Sequence, residues 1–124
     1  MKYTNKQYVR WDDLDAMAHV NNAKYLTYAQ EARFAMLGSF NMVVARAEVD
    51  FKAPISEGNF FVDVNCWVES IGTSSFTMAY EISSNGILYA RLKSVQVSVS
   101  EDTKSSRPLS DAQRETLIKF LETE

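Results

Sequence analysis

The chain of 124 residues is long enough for one domain with a single hydrophobic core. Its composition, 46% hydrophobic and 23% charged, is that of a globular protein and argues against a disordered chain. The formal net charge of −3, without any run of Lys or Arg, argues against a nucleic-acid partner, because such proteins need a basic surface for phosphates.

The N-terminus and the single cysteine bear on location and metal binding. No apolar signal core follows Met1–Lys6 and no segment approaches membrane-spanning length, so we expect a cytoplasmic protein without a membrane partner. Cys66 has no second cysteine to pair with and lies in an alternating apolar run, which predicts a buried hydrophobe rather than a nucleophile. One His and one Cys are too few for a soft-metal site, so neither a metal nor a cofactor is expected.

The first predicted elements are a strand over roughly residues 3–11 and a helix over 22–38. Asn21 or Asn22 can cap the helix, because a short side-chain carbonyl accepts a hydrogen bond from the first turn. Gly38 can end it in a left-handed conformation. Within the helix, polar residues form one narrow stripe of Lys24, Thr27 and Glu31, so we expect the helix to be buried around most of its circumference.

Four alternating segments follow the helix, each with the period of two of a strand that buries one face. Asn85-Gly86, between the third and the fourth, is a strong hairpin signal. The four segments are 43–51, 60–69, 76–83 and 87–99.

The last of these strands changes phase. Apolar residues occupy even positions up to Leu92 and odd positions from Val95 onward, which predicts a bulge or sharp twist near Lys93-Ser94. A final helix is predicted over roughly 110–122, where Ser110 and Gln113 match a capping box. An antiparallel sheet that curls around the long apolar helix is the economical way to bury that helix.

Residues 12–22 concentrate the polar chemistry of the chain. Three carboxylates, the only histidine and two asparagines lie immediately before the predicted start of the long helix. A helix start offers free N–H groups and a positive dipole end, which would stabilise an oxyanion. A carboxylate beside it can activate water as a general base or attack a carbonyl itself.

The pattern Asp-x-Asp-x-x-x-His-Val-Asn-Asn-x-x-Tyr over residues 13–25 resembles the signature of the 4-hydroxybenzoyl-CoA-thioesterase-like branch of hotdog thioesterases. Further similarity extends over nearly the whole chain. It includes Tyr28, residues 31–33, 43–51, Pro54, 57–58, 71–76, 94–97 and 106–109. The resemblance implies one hotdog domain over residues 1–124, an α+β fold in which an antiparallel sheet wraps around a long central helix, with a short C-terminal helix.

The resemblance also implies roles. Asp15 matches the catalytic carboxylate, and Asn22 matches the position whose backbone N–H helps form the oxyanion hole. His19 and Asn21 match motif positions near the active site. The residues expected to contact the substrate are Asn21, Ala23, Tyr25, Ser74 and Ser75. The implied reaction is hydrolysis of an acyl-CoA thioester to a free acid and CoA, in a homodimer or homotetramer with active sites at subunit interfaces.

Two positions depart from the family pattern. The residue before the motif histidine is usually Gly and is Ala18 here, which is costly if that position needs a positive φ. The connection from the helix to the first long strand, residues 38–42, is shorter than in many relatives, where it shapes the acyl pocket.

Several alternatives stay open on the sequence. Asp15 could only cap the turn, and Asp13 is expected to fold the loop through Asx-type hydrogen bonds. Glu31 is an alternative carboxylate on the helix, and its default interpretation is an ion pair or interface contact. Two other functions remain: a hotdog hydratase or dehydratase that uses His19, and an acyl-CoA-binding protein without activity.

Overall fold

In a computed structural model of the chain, which describes residues 1–122, two helices and five strands follow one another along the sequence. Residues 123 and 124 of the predicted domain lie outside the described part. The elements are β1 (Tyr3–Val9), α1 (Asn22–Leu37), β2 (Met42–Phe51), β3 (Phe60–Ile71), β4 (Ser75–Ser84), β5 (Ile87–Ser98) and α2 (Asp111–Lys119).

The five strands form one antiparallel sheet in the order β1-β3-β4-β5-β2. The hairpin between β4 and β5 turns at Asn85-Gly86, as predicted. Both residues have a positive φ, 50° and 79°, which is the geometry of a type I′ turn. In this order β1 and β2 are the two edge strands of the sheet, and α1 connects one edge to the other.

The helix α1 packs against one face of this sheet, which confirms the predicted α+β class. Alternate residues of the central strands are buried beneath it: Val62, Val64, Cys66 and Val68 of β3, and Phe76, Met78, Tyr80 and Ile82 of β4. Each fully buried apolar side chain of this size contributes roughly 1.5–3 kcal/mol. Burial also raises the pKa of Cys66 to about 12, in agreement with its predicted place in the core.

The prediction that α1 is buried around most of its circumference is wrong for this chain. One face is buried against the sheet, whereas Leu26 on the flank of this face and Phe34 on the side away from the sheet are 41% and 59% exposed. The reason is that the sheet supplies one layer of contacts and nothing in residues 1–122 covers the other side of the helix.

The predicted bulge near Lys93-Ser94 is also wrong. The extra residue of β5 is Tyr89, because Ile82 pairs with Ala90 while Ser83 pairs with Leu88. The even positions after the bulge continue to face α1 to the end of the strand, although they are polar: Ser94, Gln96 and Ser98 are all buried. A hydrogen-bond network that joins the first two of these to a helix residue, described below, makes their burial possible.

The edge strand β2 buries neither face well, unlike the predicted pattern for residues 43–51. Pairing with β5 shifts register between Val44 and Arg46, so the side chains before and after Ala45 change faces. Val43 and Val44 are both nearly half exposed. An apolar edge strand with exposed backbone groups is a template for pairing with another strand.

The first strand and the last helix are both shorter than predicted. The strand β1 ends at Val9 and is followed by a 3₁₀ turn over Trp11–Asp13. The helix α2 has the predicted Ser110–Gln113 capping box but ends at Lys119. Its C-terminal extension pairs with β3 instead, because Val68 donates to the Phe120 carbonyl at 2.8 Å and accepts from the Glu122 N–H at 2.9 Å. No helix in residues 1–122 is long and apolar enough to cross a membrane.

Candidate active site

Two of the predicted catalytic residues, Asp15 and His19, lie in a closed loop of residues 14–20 that leads directly into α1, and the third, Asn22, is the first residue of that helix. Leu14 and Val20 form an antiparallel bridge at its base, and the Asn21 N–H donates to the Asp13 carbonyl at 2.9 Å. The Val20 N–H donates to the Ile55 carbonyl at 2.9 Å, which ties the loop to the segment between β2 and β3. We call residues 14–20 the Asp15 loop.

Asp13 anchors this loop through hydrogen bonds of its buried carboxylate. Its carboxylate is buried, and Oδ2 accepts from the Tyr28 hydroxyl at 2.7 Å and from the Arg10 N–H at 3.1 Å. Burial by itself would raise the pKa of Asp13, but these hydrogen bonds and the charges of Lys24 and Arg10 lower it below its usual value. Asp13 therefore stabilises the loop through Tyr28 and Arg10, and not through the Asx-type hydrogen bonds that were expected of it, which the structure shows at Asp15. Tyr28 belongs to the residues that resemble the family, but no other feature of the sequence indicated that it would pair with Asp13.

The two oxygens of Asp15 have different surroundings. Oδ1 accepts from the Met17 N–H at 2.9 Å and from the His19 N–H at 3.3 Å, the geometry of an Asx turn. Oδ2 has no hydrogen-bond or ionic partner among the described residues, and the residue is exposed. One oxygen therefore shapes the turn and the other remains available for chemistry.

His19 contributes its backbone to this loop. Its carbonyl accepts from the Asp15 N–H at 2.8 Å, opposite the bond to Oδ1. The imidazole is exposed and forms no hydrogen bond with any residue in 1–122. A carboxylate–imidazole pair is therefore not formed within this part of the chain.

The start of α1 presents an open backbone donor. Asn21 is the N-cap, and its Oδ1 accepts from the Ala23 N–H at 3.0 Å. The Lys24 N–H donates to the Asn21 carbonyl at 2.9 Å. The Asn22 N–H has no acceptor within the described residues, so it is available to an anion at the positive end of the helix dipole.

The predicted substrate contacts are dispersed in a single chain. Tyr25 is only 2% exposed, and its ring packs against Phe51 with centroids 5.1 Å apart. Ser74 and Ser75 lie at the β3–β4 turn, whereas the Asp15 loop lies near the start of β3. The twelve residues of β3 separate these two ends by roughly 35 Å. Within one chain, the two serines do not meet Asp15.

Gly58 supports the site in a way that the residue pattern alone did not reveal. A Cβ atom at this position would lie 2.8 Å from the Trp11 Cα, closer than a side chain can approach a backbone atom. Glycine therefore lets the segment before β3 pack directly against the 3₁₀ turn that precedes the Asp15 loop.

Ala18 has a φ of +60°, the conformation in which Ala is disfavoured. We expect Ala18→Gly to raise the free energy of unfolding by about 0.5–1 kcal/mol, because relief of strain exceeds the extra entropy of glycine in the unfolded chain. Urea denaturation measures this change. Ala16, in the same loop with a negative φ, is the matched control, and Ala16→Gly should be neutral or destabilising. An equal effect of both substitutions would contradict the strain assigned to Ala18.

No three His, Cys, Asp or Glu side chains within residues 1–122 are grouped as metal ligands. The arrangement that the loop does provide is a carboxylate oxygen and a backbone N–H close together in sequence at a helix start. Such a pair can activate water and stabilise the charge that develops on an attacked carbonyl oxygen.

The chain is similar in sequence and in fold to known thioesterases. Residues 9–117 match the profile of the thioesterase-like superfamily. A search of curated proteins gave no significant match. Among solved structures, a predicted thioesterase from Bacillus stearothermophilus is 28% identical, with a TM-score of 0.91 over 100% of this chain and 99% of that one.

Two further structures are similar over most of their length. A thioesterase from Thermus thermophilus, complexed with coenzyme A and Zn, is 33% identical with a TM-score of 0.84, over 94% of this chain and 92% of that one. A 1,4-dihydroxy-2-naphthoyl-CoA thioesterase from Synechocystis is 22% identical with a TM-score of 0.83, over 95% and 96%, and shares the fold.

Proposed function

Because the chain belongs to the thioesterase-like superfamily and has its hotdog fold, we propose that it hydrolyses acyl-CoA thioesters to free acids and CoA. The observation that carries the proposal is the geometry of the Asp15 loop. It leaves one carboxylate oxygen of Asp15 without a partner and is followed at the start of α1 by the unpaired N–H of Asn22 within the described residues. The coenzyme A bound to the Thermus relative supports a CoA thioester as the substrate.

The proposed chemistry begins with the thioester carbonyl oxygen at the Asn22 N–H. In one route, Asp15 Oδ2 takes a proton from water while the water oxygen attacks the carbonyl carbon. In the other, Oδ2 attacks that carbon itself and water then hydrolyses the resulting anhydride. In both routes negative charge develops on the carbonyl oxygen, where the backbone donor and the helix dipole stabilise it, and the C–S bond then breaks. The leaving CoA thiolate takes the proton held by Asp15 in the first route and a proton from solvent in the second.

Thiol release from a panel of aliphatic and aromatic acyl-CoAs tests the proposal. Turnover of at least one thioester above the buffer rate is the expected result, and no turnover across the panel would refute it. Formation of enoyl absorbance in place of thiol would indicate the hydratase alternative. The exposed His19 ring, without a carboxylate partner among residues 1–122, offers that alternative no support.

We further propose that two copies pair through β2 and α1. The edge strand has unpaired backbone groups, and the exposed face of α1 carries Leu26 and Phe34. Antiparallel pairing of two β2 edges would bring the Ser74 end of one chain toward the Asp15 end of its partner. That arrangement would place residues from both chains around one site, as the resemblance implies.

The opposite face of the sheet is less suited to an apolar interface, which favours the dimer over a tetramer built on that face. It carries cross-strand ion pairs, among them Lys93–Glu69 at 2.9 Å and Arg91–Glu81 at 3.1 Å. Burying such charges against a second sheet would cost more than burying an apolar surface.

We expect Phe34→Glu to shift the protein from dimer to monomer. A carboxylate at this position would be desolvated in the pair but solvated in the single chain, where Phe34 is 59% exposed. Sedimentation equilibrium should give twice the chain mass of 14.1 kDa for the wild type and the single mass for the variant. Ile118→Glu on α2, at 58% exposure, is the control and should leave the dimer intact. A dimeric Phe34→Glu variant would exclude this face as the interface.

A further inference from the structure

A groove of about 180 Å³ runs along α1, between the helix and the inner face of β5 and β2. Its walls are mainly apolar and include Leu26, Ala29, Val44, Ala47 and Leu92. A cavity of roughly 150 Å³ is sufficient for benzene, so a space of this size suits a compact group rather than a long acyl chain.

The groove reaches a buried polar cluster that the proposed reaction does not use. Arg33 of α1 is only 8% exposed, and its Nη1 donates to the Tyr80 hydroxyl at 2.9 Å and to Gln96 Oε1 at 3.4 Å. The Tyr80 hydroxyl lies 2.6 Å from Ser94 Oγ, which in turn donates to Gln96 Oε1. Arg33, Tyr80 and Ser94 all line the groove.

The charge and the donors of Arg33 are incompletely satisfied. A guanidinium has five N–H donors, and the two contacts made here both involve Nη1. Within residues 1–122, Nε and Nη2 have no acceptor and no carboxylate lies within ion-pair distance of Arg33. The described lining of the groove contains no Asp or Glu, and its other cation, Lys93, pairs with Glu69 at 2.9 Å. The part of the guanidinium without an acceptor is not fully enclosed, and Arg33 lines the groove. A guanidinium whose charge no carboxylate balances favours an anion, and a carboxylate matches its donors in a bidentate pair.

The position of Arg33 relative to the Asp15 loop suits recognition of the far end of a substrate. Arg33 lies eleven positions after Asn22, about 16 Å along the helix axis. Long helical side chains lean toward the helix N-terminus, which shortens the distance to the guanidinium. A compact acyl group with its thioester carbonyl at the helix start would therefore point its other end along the groove toward Arg33.

We propose that this groove binds the acyl group and that Arg33 selects acyl groups that end in a carboxylate, the CoA monothioesters of short dicarboxylic acids. The proposal rests on the proposed function and specifies its substrate class. The apolar walls contact the methylene chain, and the guanidinium pairs with the distal carboxylate.

Kinetics with adipoyl-CoA and hexanoyl-CoA, which share chain length and differ in the terminal carboxylate, test the proposal. The wild type should have the higher kcat/KM for adipoyl-CoA. Arg33→Met should lower the ratio of kcat/KM for adipoyl-CoA to kcat/KM for hexanoyl-CoA roughly ten- to hundredfold. Arg33→Lys keeps the charge but not the planar donors, so its preference for adipoyl-CoA should lie between those of the wild type and Arg33→Met. Arg91→Met removes an arginine that faces away from the groove and should preserve the wild-type preference.

Calorimetric binding of the same two ligands separates this proposal from the proposed function. If neither thioester is hydrolysed, the proposed function fails, while tighter binding of adipoyl-CoA that is lost in Arg33→Met still supports the acyl site. A wild type that does not prefer adipoyl-CoA, or a folded Arg33→Met variant that keeps the preference, overturns the proposal. Circular dichroism establishes folding. If Arg33→Met does not fold, Arg33→Lys decides, because a folded Arg33→Lys variant with the full wild-type preference for adipoyl-CoA overturns the proposal.

Discussion

Replacement of Asp15 by Asn should lower kcat for acyl-CoA hydrolysis by roughly 10²–10⁴-fold while the protein stays folded. The substitution keeps an Oδ1 that can accept from the Met17 and His19 N–H groups, so the turn is preserved. It replaces the solvent-facing Oδ2 with an amide nitrogen, which is neither a base nor a nucleophile. The measurement is steady-state thiol release with the best acyl-CoA of the panel.

Asp12→Asn is the matched control for this experiment. It removes the same charge three positions away, from a side chain that is 74% exposed and lies outside the Asp15 loop. The control should retain nearly full activity, which separates the chemical role of Asp15 from a change in local charge. Equal rates for wild type and Asp15→Asn would show that Asp15 only caps the turn and would refute the assigned mechanism.

Replacement of Asp13 by Ala should lower the free energy of unfolding by about 3 kcal/mol. The carboxylate is 3% exposed, and its loss would leave the Tyr28 hydroxyl and the Arg10 N–H without their acceptor. Urea unfolding measures the effect. Tyr28→Phe removes only one of these hydrogen bonds and should cost about 1 kcal/mol. If the two substitutions add fully in the double variant, the hydrogen bond between the residues does not stabilise the fold.

The contribution of Asp13 should also depend on pH. Its pKa is lower in the folded chain than the ordinary value of 3.8, so the folded state favours the ionised form. That contribution is fully present at neutral pH and is lost as the pH falls below about 4 through the folded pKa. The difference in unfolding free energy between wild type and Asp13→Ala should therefore shrink in acid. A constant difference from about pH 7 to about pH 3 would contradict this linkage.

Local patterns were sufficient for much of the fold. The caps at Asn21 and Ser110, the stop at Gly38 and the Asn85-Gly86 hairpin were predicted correctly, because each depends on a few neighbouring residues. The alternation of β3 and β4 was also predicted, since both are central strands with a single buried face. The identification of the fold as a hotdog depended in addition on the motif around residues 13–25.

Buried polar positions were harder to predict. The sequence around Val95 and Val97 indicated a phase change, but the tertiary structure buries Ser94 and Gln96 instead. Arg33 makes this possible, because a donor from the helix satisfies the buried polar side chains. An alternation pattern carries no information about a partner that lies more than sixty residues away.

The residue pattern was enough to predict the helices and strands, their caps and the loop that carries Asp15, because these depend on hydrogen bonds and φ preferences over a few residues. Three features could be read only from the folded chain: the oxygen of Asp15 that remains available, the distance from Asp15 to Ser74, and the contact of Arg33 with the groove. Those features depend on packing between segments that are distant in sequence. The exposed face of α1 could not be predicted either, because the burial of a helix depends on how many of its sides other elements cover.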